Sequence, residues 1–232
     1  MRTLLFPLLV GLGGIAILLW LAFWQVDRLA WKEGVLAEID ARLAEEPVPL
    51  PDVADPEADN YRSVIMQGRT TGQEIRFLDS GTAAGSGHRI IGAFETVEGR
   101  RVMLDQGLLP FNDDAAASGA PLRDEVTVQG NLLWPDDVSD QPPVGDEWYA
   151  RDIDAMAAAL DTEPVLVVLS AASAYDSRLT PLPVDTRAIK NDHLEYAITW
   201  FLLALVWGAM TMFYVVRSRK RPSLARPAPK DS

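Results

Sequence analysis

Hydrophobic positions fall into three regimes along this chain. From Thr3 to Val26, and again from Tyr196 to Val216, no residue is charged. Each run meets the roughly 20 apolar residues that a helix needs to cross a bilayer. The pattern predicts transmembrane helices over 3–26 and 194–216. Just past the first run, Leu29, Leu36, Ile39 and Leu43 recur at helical intervals among Arg28, Lys32, Glu33, Glu38, Asp40 and Arg42. That periodicity extends the first helix into water as a juxtamembrane segment over 27–46. Pro47, Pro49 and Pro51 then stop it.

Over 47–190 the period shortens. Tyr61–Gly68, Glu74–Leu78, Arg89–Phe94, Arg101–Leu109 and Val126–Trp134 are rich in β-branched or aromatic residues and separated by glycine-containing breaks, which predicts strands. Glu98-Gly99 reads as a hairpin turn. Breaks this short leave no room for crossover helices, so antiparallel pairing is expected. An alanine-rich helix over Asp152–Leu160 begins with acidic residues, and Val165–Leu169, apolar throughout, reads as a strand buried on both faces. The fold class is a membrane protein in which two helices flank a mainly antiparallel, α+β exoplasmic domain, with a small barrel as one way of closing it.

Charge orients this arrangement. All 33 acidic residues except Asp231 lie between positions 27 and 195, whereas Arg217, Arg219, Lys220 and Arg221 adjoin the second span. Basic flanks stay cytoplasmic. The expected topology is a multi-pass protein of a bacterial cell inner membrane, with a periplasmic domain and a basic cytoplasmic tail over 217–232. The first apolar run exceeds a signal-peptide core and lacks a small-residue cleavage site before Asp27, so a retained anchor is expected. The acidic surface also argues against nucleic acid as a partner.

Candidate chemistry is sparse. With no cysteine, thiol nucleophiles, disulfides and thiolate metal sites are excluded. His88 and His193 are the two histidines. Gly85-Ser86-Gly87-His88 lacks the context of a phosphate loop and reads as a hairpin connection. Asp113-Asp114 and Asp136-Asp137 read as solvated loops, and no catalytic constellation emerges. The chain is expected not to be an enzyme. On the second helix His193, Tyr196 and Trp200 stand at i, i+3 and i+7 and share a face. Trp20, Trp24 and Arg28 share one on the first. Both faces fit an interfacial aromatic belt. From spacing alone the belt is the favoured reading; the functional alternative for the face of His193 is an imidazole ligand for an iron cofactor, shielded by aromatic rings.

Several segments resemble the Surfeit locus protein 1 family. They are Trp24-Gln25 with Arg28, Trp31 and Lys32; Pro49-Leu50-Pro51; Tyr61 to Gly68; Asp105-Gln106-Gly107-Leu108-Leu109-Pro110; Trp148-Tyr149 with Asp152 and Met156; and Asn191 to Phe201. The last is close to the family's Asn-Asn-His-Leu-x-Tyr-Ala-x-Thr-Trp-Phe. Two departures stand out: Asp105-Gln106-Gly107-Leu108 replaces an Asn-Arg-Gly-Trp-like strand, and Asp192 replaces a second asparagine. The resemblance implies an assembly factor for haem-copper cytochrome c oxidase that aids haem a delivery or insertion. Its partners would be oxidase subunit I and the haem a synthesis machinery. His193 is the matching iron ligand, and Tyr196, Trp200, Trp24 and Arg28 are candidate contacts of the cofactor. Two rival functions remain from the sequence: a scaffold that binds oxidase assembly intermediates without haem, and a membrane-anchored exoplasmic sensor or binding module.

Overall fold

The computed structural model describes residues 2–82, 84–111, 124–135, 141–187 and 189–219. Asp113-Asp114, Asp136-Asp137 and the tail beyond Arg219 lie outside them. The chain divides into two units, a helical one (Met1–Leu36 with Arg187–Ser232) and a sheet domain (Ala37–Thr186).

The helix α1 runs without a break over Arg2–Leu43, as far as Leu36 in the helical unit, so the apolar run and the charged juxtamembrane stretch form one rod. A short helix, α2 (Ile153–Leu160), belongs to the sheet domain, and the last helix, α3 (His193–Arg219), packs beside α1. Windows of α1 and α3 are long and apolar enough to cross a membrane and are only 11% and 6% buried within the protein. The two helices run antiparallel. Phe23 meets Phe201 edge-on at 5.5 Å, and the Trp207 indole N–H donates to the Gly11 carbonyl at 3.1 Å. Small residues allow this approach, with Ala22, Ala197 and Ala204 all buried.

The sheet domain consists of β1 (Val48–Pro49), β2 (Ser63–Thr82), β3 (Gly85–Thr96), β4 (Arg101–Pro110), β5 (Val126–Leu132), β6 (Glu147–Trp148) and β7 (Leu166–Ala172). β2, β3 and β4 form an antiparallel meander, and the first half of β2 also pairs with β5. That places β5 beside β2 in a Greek-key order. β7 then fills the remaining gap, parallel to β4 and antiparallel to β5, closing a five-stranded barrel. The predicted small barrel is the observed closure, and antiparallel pairing dominates it.

Alternation along the strands feeds two apolar layers. Val64, Met66, Phe94, Val102, Leu104, Val128, Val167 and Leu169 belong to one cluster. Their strand neighbours Ile91, Ala93, Met103, Leu166 and Val168 form the other, covered by Met156 and Leu160 of α2. β4 and β7 are therefore buried on both faces, as the uninterrupted apolar run of β7 predicts. Burying each large side chain such as Phe94 or Met103 contributes about 1.5–3 kcal/mol.

One boundary differs from the sequence reading. Tyr61–Gly68 and Glu74–Leu78 are parts of a single strand, β2. Its register with β3 shifts between Thr70 and Glu74, with Gly72 at φ +85, so the intervening residues are absorbed as a bulge. At Gly68 a Cβ would lie 2.1 Å from the Glu95 carbonyl, so only glycine lets β2 turn from one neighbour to the other. Two local readings, the hairpin turn and the start of the short helix, match the structure. Gly99, at φ +84, closes the hairpin after Thr96, and the Asp152 side chain caps α2 by accepting from the Ala155 N–H at 3.1 Å.

Candidate functional site

His193 is the first residue of α3, half-buried, and its Nδ1 lies 2.7 Å from Gln25 Oε1 on α1. An amide oxygen only accepts, so Nδ1 carries the proton and donates. In the neutral ring Nε2 then keeps its lone pair, the state in which imidazole binds a metal. A hydrogen bond on the far nitrogen is also how protein-bound imidazoles are oriented and made more basic. Gln25 is the one amide side chain in the uncharged run of α1. It stands among apolar neighbours, and its hydrogen-bond partner is 168 residues away in sequence.

The rest of the predicted constellation is looser. Tyr196 and Trp200 follow His193 along α3, Tyr196 exposed and Trp200 half-buried. Trp20 and Trp24 on α1 are exposed. Arg28, in line with those two tryptophans on α1, lies with Cζ 3.8 Å from the centre of the Trp31 ring. Lys32 donates through Nζ to the Lys190 carbonyl, tying the loop before α3 to α1. Beside it, the Asn191 Oδ1 atom is buried without a hydrogen-bond partner among the described residues. Sequence reasoning missed Gln25 and Asn191 as site residues, although both lie inside the motifs it quoted.

Several charged groups of the sheet domain are paired within it. Asp105 on β4 is fully buried; Arg89 Nε donates to it at 2.7 Å and the Gly107 N–H at 3.1 Å. Burial pushes the Asp105 carboxyl up from its usual value, while Arg89 pulls it down less strongly. Arg89 also donates to the Leu182 carbonyl at 3.0 Å. Arg178 lies 2.8 Å from Asp176, and Arg100 holds Glu163 through two nitrogens at 3.0 and 2.6 Å. His88 is not in a loop but within β3, edge-on to Phe111 at 4.9 Å and 3.6 Å from Glu147. Tyr149 donates to Glu147 at 2.8 Å, which raises the phenol pKa. Among the described residues no group of three or more His, Cys, Asp or Glu could hold a metal ion.

Residues 12–205 match the model of the SURF1 family. Human Surfeit locus protein 1 is 29% identical over 212 residues, covering 79% of this chain and 69% of its own length. The rat protein of that name is 30% identical over 208 residues, covering 78% and 66%. A SURF1-like protein of Rickettsia felis is 25% identical over 222 residues, covering 91% and 96%. The chain thus spans about two thirds of the mammalian proteins and nearly all of the bacterial one.

Proposed function

The chain belongs to the SURF1 family, and from that membership we propose that it is an assembly factor for a haem-copper cytochrome c oxidase, aiding delivery or insertion of haem a into subunit I. Haem a is cargo in this reading, and the chain carries out no covalent step. The observation that carries it is the hydrogen bond from His193 Nδ1 to Gln25 Oε1 at 2.7 Å, which leaves Nε2 available. Haem iron takes such an imidazole. The donor chemistry of the neighbourhood fits: Tyr196, Trp200 and Trp24 supply aromatic surface, Arg28 a cation for a propionate, and Asn191 Oδ1 an unpaired acceptor. His193 would hold the iron while the aromatic side chains keep the macrocycle out of water. Subunit I and the haem a synthesis machinery would be the partners that receive and supply it.

In this reading α1 and α3 span a bacterial inner membrane and the sheet domain is periplasmic. Antiparallel helices put the start of α1 and the end of α3 on one side, and Arg217 and Arg219 in the last turn of α3 favour the cytoplasm.

A non-haem scaffold is the second reading. It is favoured by a cleft of about 760 Å³ in the sheet domain, lined by Trp134, Pro56, Asp52 and Asp154 among others. Copurified haem separates the two. His193→Ala is expected to bleach or shift the Soret band of the detergent-purified protein, while His88→Ala leaves it unchanged. An unaltered band in His193→Ala, with full oxidase activity in a deletion strain, would overturn the ligand assignment and put the scaffold ahead.

A further inference from the structure

At the opposite end of the helix pair from His193 there is a second feature, which the haem reading does not use. Phe6, Val10 and Gly11 of α1 face Trp207, Met210 and Tyr214 of α3 across a trough of about 280 Å³. Gly11 makes the room, since a Cβ there would lie 2.2 Å from Thr211 Cγ2. The polar atoms of its walls are largely spent. The Trp207 indole donates to the Gly11 carbonyl at 3.1 Å, and the Thr211 hydroxyl to the Trp207 carbonyl at 2.8 Å. A polar occupant would lose its water and gain no partner over most of the length, so the trough selects hydrocarbon. A helix, about 10–12 Å across with its side chains, is too thick to enter. A volume of 280 Å³ is that of several methylene-sized groups in a row, as in a fatty acyl chain.

One end of the trough carries a charge. Met210, Tyr214 and Arg217 stand at i, i+4 and i+7 of α3, so the exposed Arg217 prolongs the same face by one turn. Arg219 is nine residues from Met210, about half-way round the helix at roughly 100° per residue. We propose that this trough is a binding site for an anionic phospholipid, one acyl chain lying between α1 and α3 and the phosphate resting on Arg217. A guanidinium is suited to phosphate, and basic groups beside helix grooves at a membrane edge recognise anionic headgroups.

The test uses the full chain in dodecyl maltoside, incubated with equal amounts of dioleoyl phosphatidylglycerol and dioleoyl phosphatidylcholine and read by native mass spectrometry. The unaltered protein should retain phosphatidylglycerol several-fold over phosphatidylcholine. Arg217→Gln should bring that ratio close to one while total bound lipid persists, and Arg219→Gln should leave it unchanged. Val10→Trp, which fills the trough, should remove both lipids while helix content by circular dichroism stays the same. Equal retention by the unaltered protein, or equal effects of the two arginine substitutions, would overturn the site in favour of unspecific charge attraction. A photo-crosslinker at Met210 that captures protein instead of lipid in native membranes would overturn it in favour of a partner helix.

Discussion

Asp105 in the barrel and His193 in the helix pair are both polar groups set among apolar ones, and the chain treats them differently. Asp105 receives a guanidinium, a backbone N–H and the cover of two strands, and Arg89 itself is held by the Leu182 carbonyl. His193 has Gln25 on one nitrogen and keeps the other ring nitrogen for something else. Networks such as the first serve the fold, because the buried carboxylate finds its donors within the domain. A half-completed one, on a helix face with little internal burial, leaves a ring nitrogen for the ligation proposed above. The contrast explains why a strongly acidic domain with many charge pairs offers less evident chemistry than one histidine.

The largest expected effect breaks the barrel side of this contrast. Arg89→Leu leaves Asp105 buried without its cation and should cost about 3–5 kcal/mol, measured by denaturant unfolding of the sheet domain within the full chain. Asp105→Asn should cost less, because the amide keeps one acceptor oxygen for Gly107 or Arg89, and Arg89 retains Asp79 and the Leu182 carbonyl. If both substitutions proved equally mild, the pair would not be the closed unit described above.

The helix side is sharpened by Gln25→Leu. Losing the acceptor frees the ring of His193 to rotate and change tautomer, and haem affinity should fall about 10–100-fold with a shifted Soret band. Gln25→Glu, which restores an acceptor, should recover most of it. A Gln25→Leu protein with unaltered haem binding would remove Gln25 as a positioning residue while leaving His193→Ala as the separate test of the ligand.

The smallest effect concerns pH. Asp59 accepts from the Asp55 N–H at 2.9 Å and from Arg62 at 2.7 Å, and that backbone hydrogen bond holds its carboxyl below the usual range. Its contribution is present above the ordinary carboxylate value near pH 4 and is lost as pH falls through the lower folded value. Asp59→Asn should therefore cost about 1–2 kcal/mol at neutral pH, with the gap to the unaltered protein closing in acid. Asp105, whose pKa burial raises, tilts the other way: its share of stability declines as pH rises from the unfolded value through the folded one. Unfolding curves for Asp59→Asn and Asp105→Asn across acid pH would distinguish the two slopes.

Much of the architecture was readable from the sequence because its determinants are local. An unbroken lack of charge marks α1 and α3, Asp152 marks the start of α2, and Glu98-Gly99 marks a hairpin. The break read between Tyr61–Gly68 and Glu74–Leu78 failed because a bulge and a chain break leave the same glycine-containing signature. The pairings of Gln25 with His193 and of Arg89 with Asp105 were out of reach for another reason. They depend on which helix faces meet and on how β3 and β4 align, and neither register is written in the spacing of either partner alone. His193 itself stood out through its rarity and its motif, whereas the residue that orients it did not.

The double duty of β2 has a consequence for how the chain folds as it is synthesised. Its second half can pair with β3 within a few residues, and the start of its first half has β1 on one edge, but the other edge must wait for β5, and β7 must follow before the barrel closes. Nascent chain ending before Ala172 therefore exposes an unpaired strand edge, the kind of surface that templates aggregation. Pairings this far apart in sequence also form slowly. A ribosome pausing between β4 and β7 would leave the domain most in need of a chaperone, with the last helix still to be made.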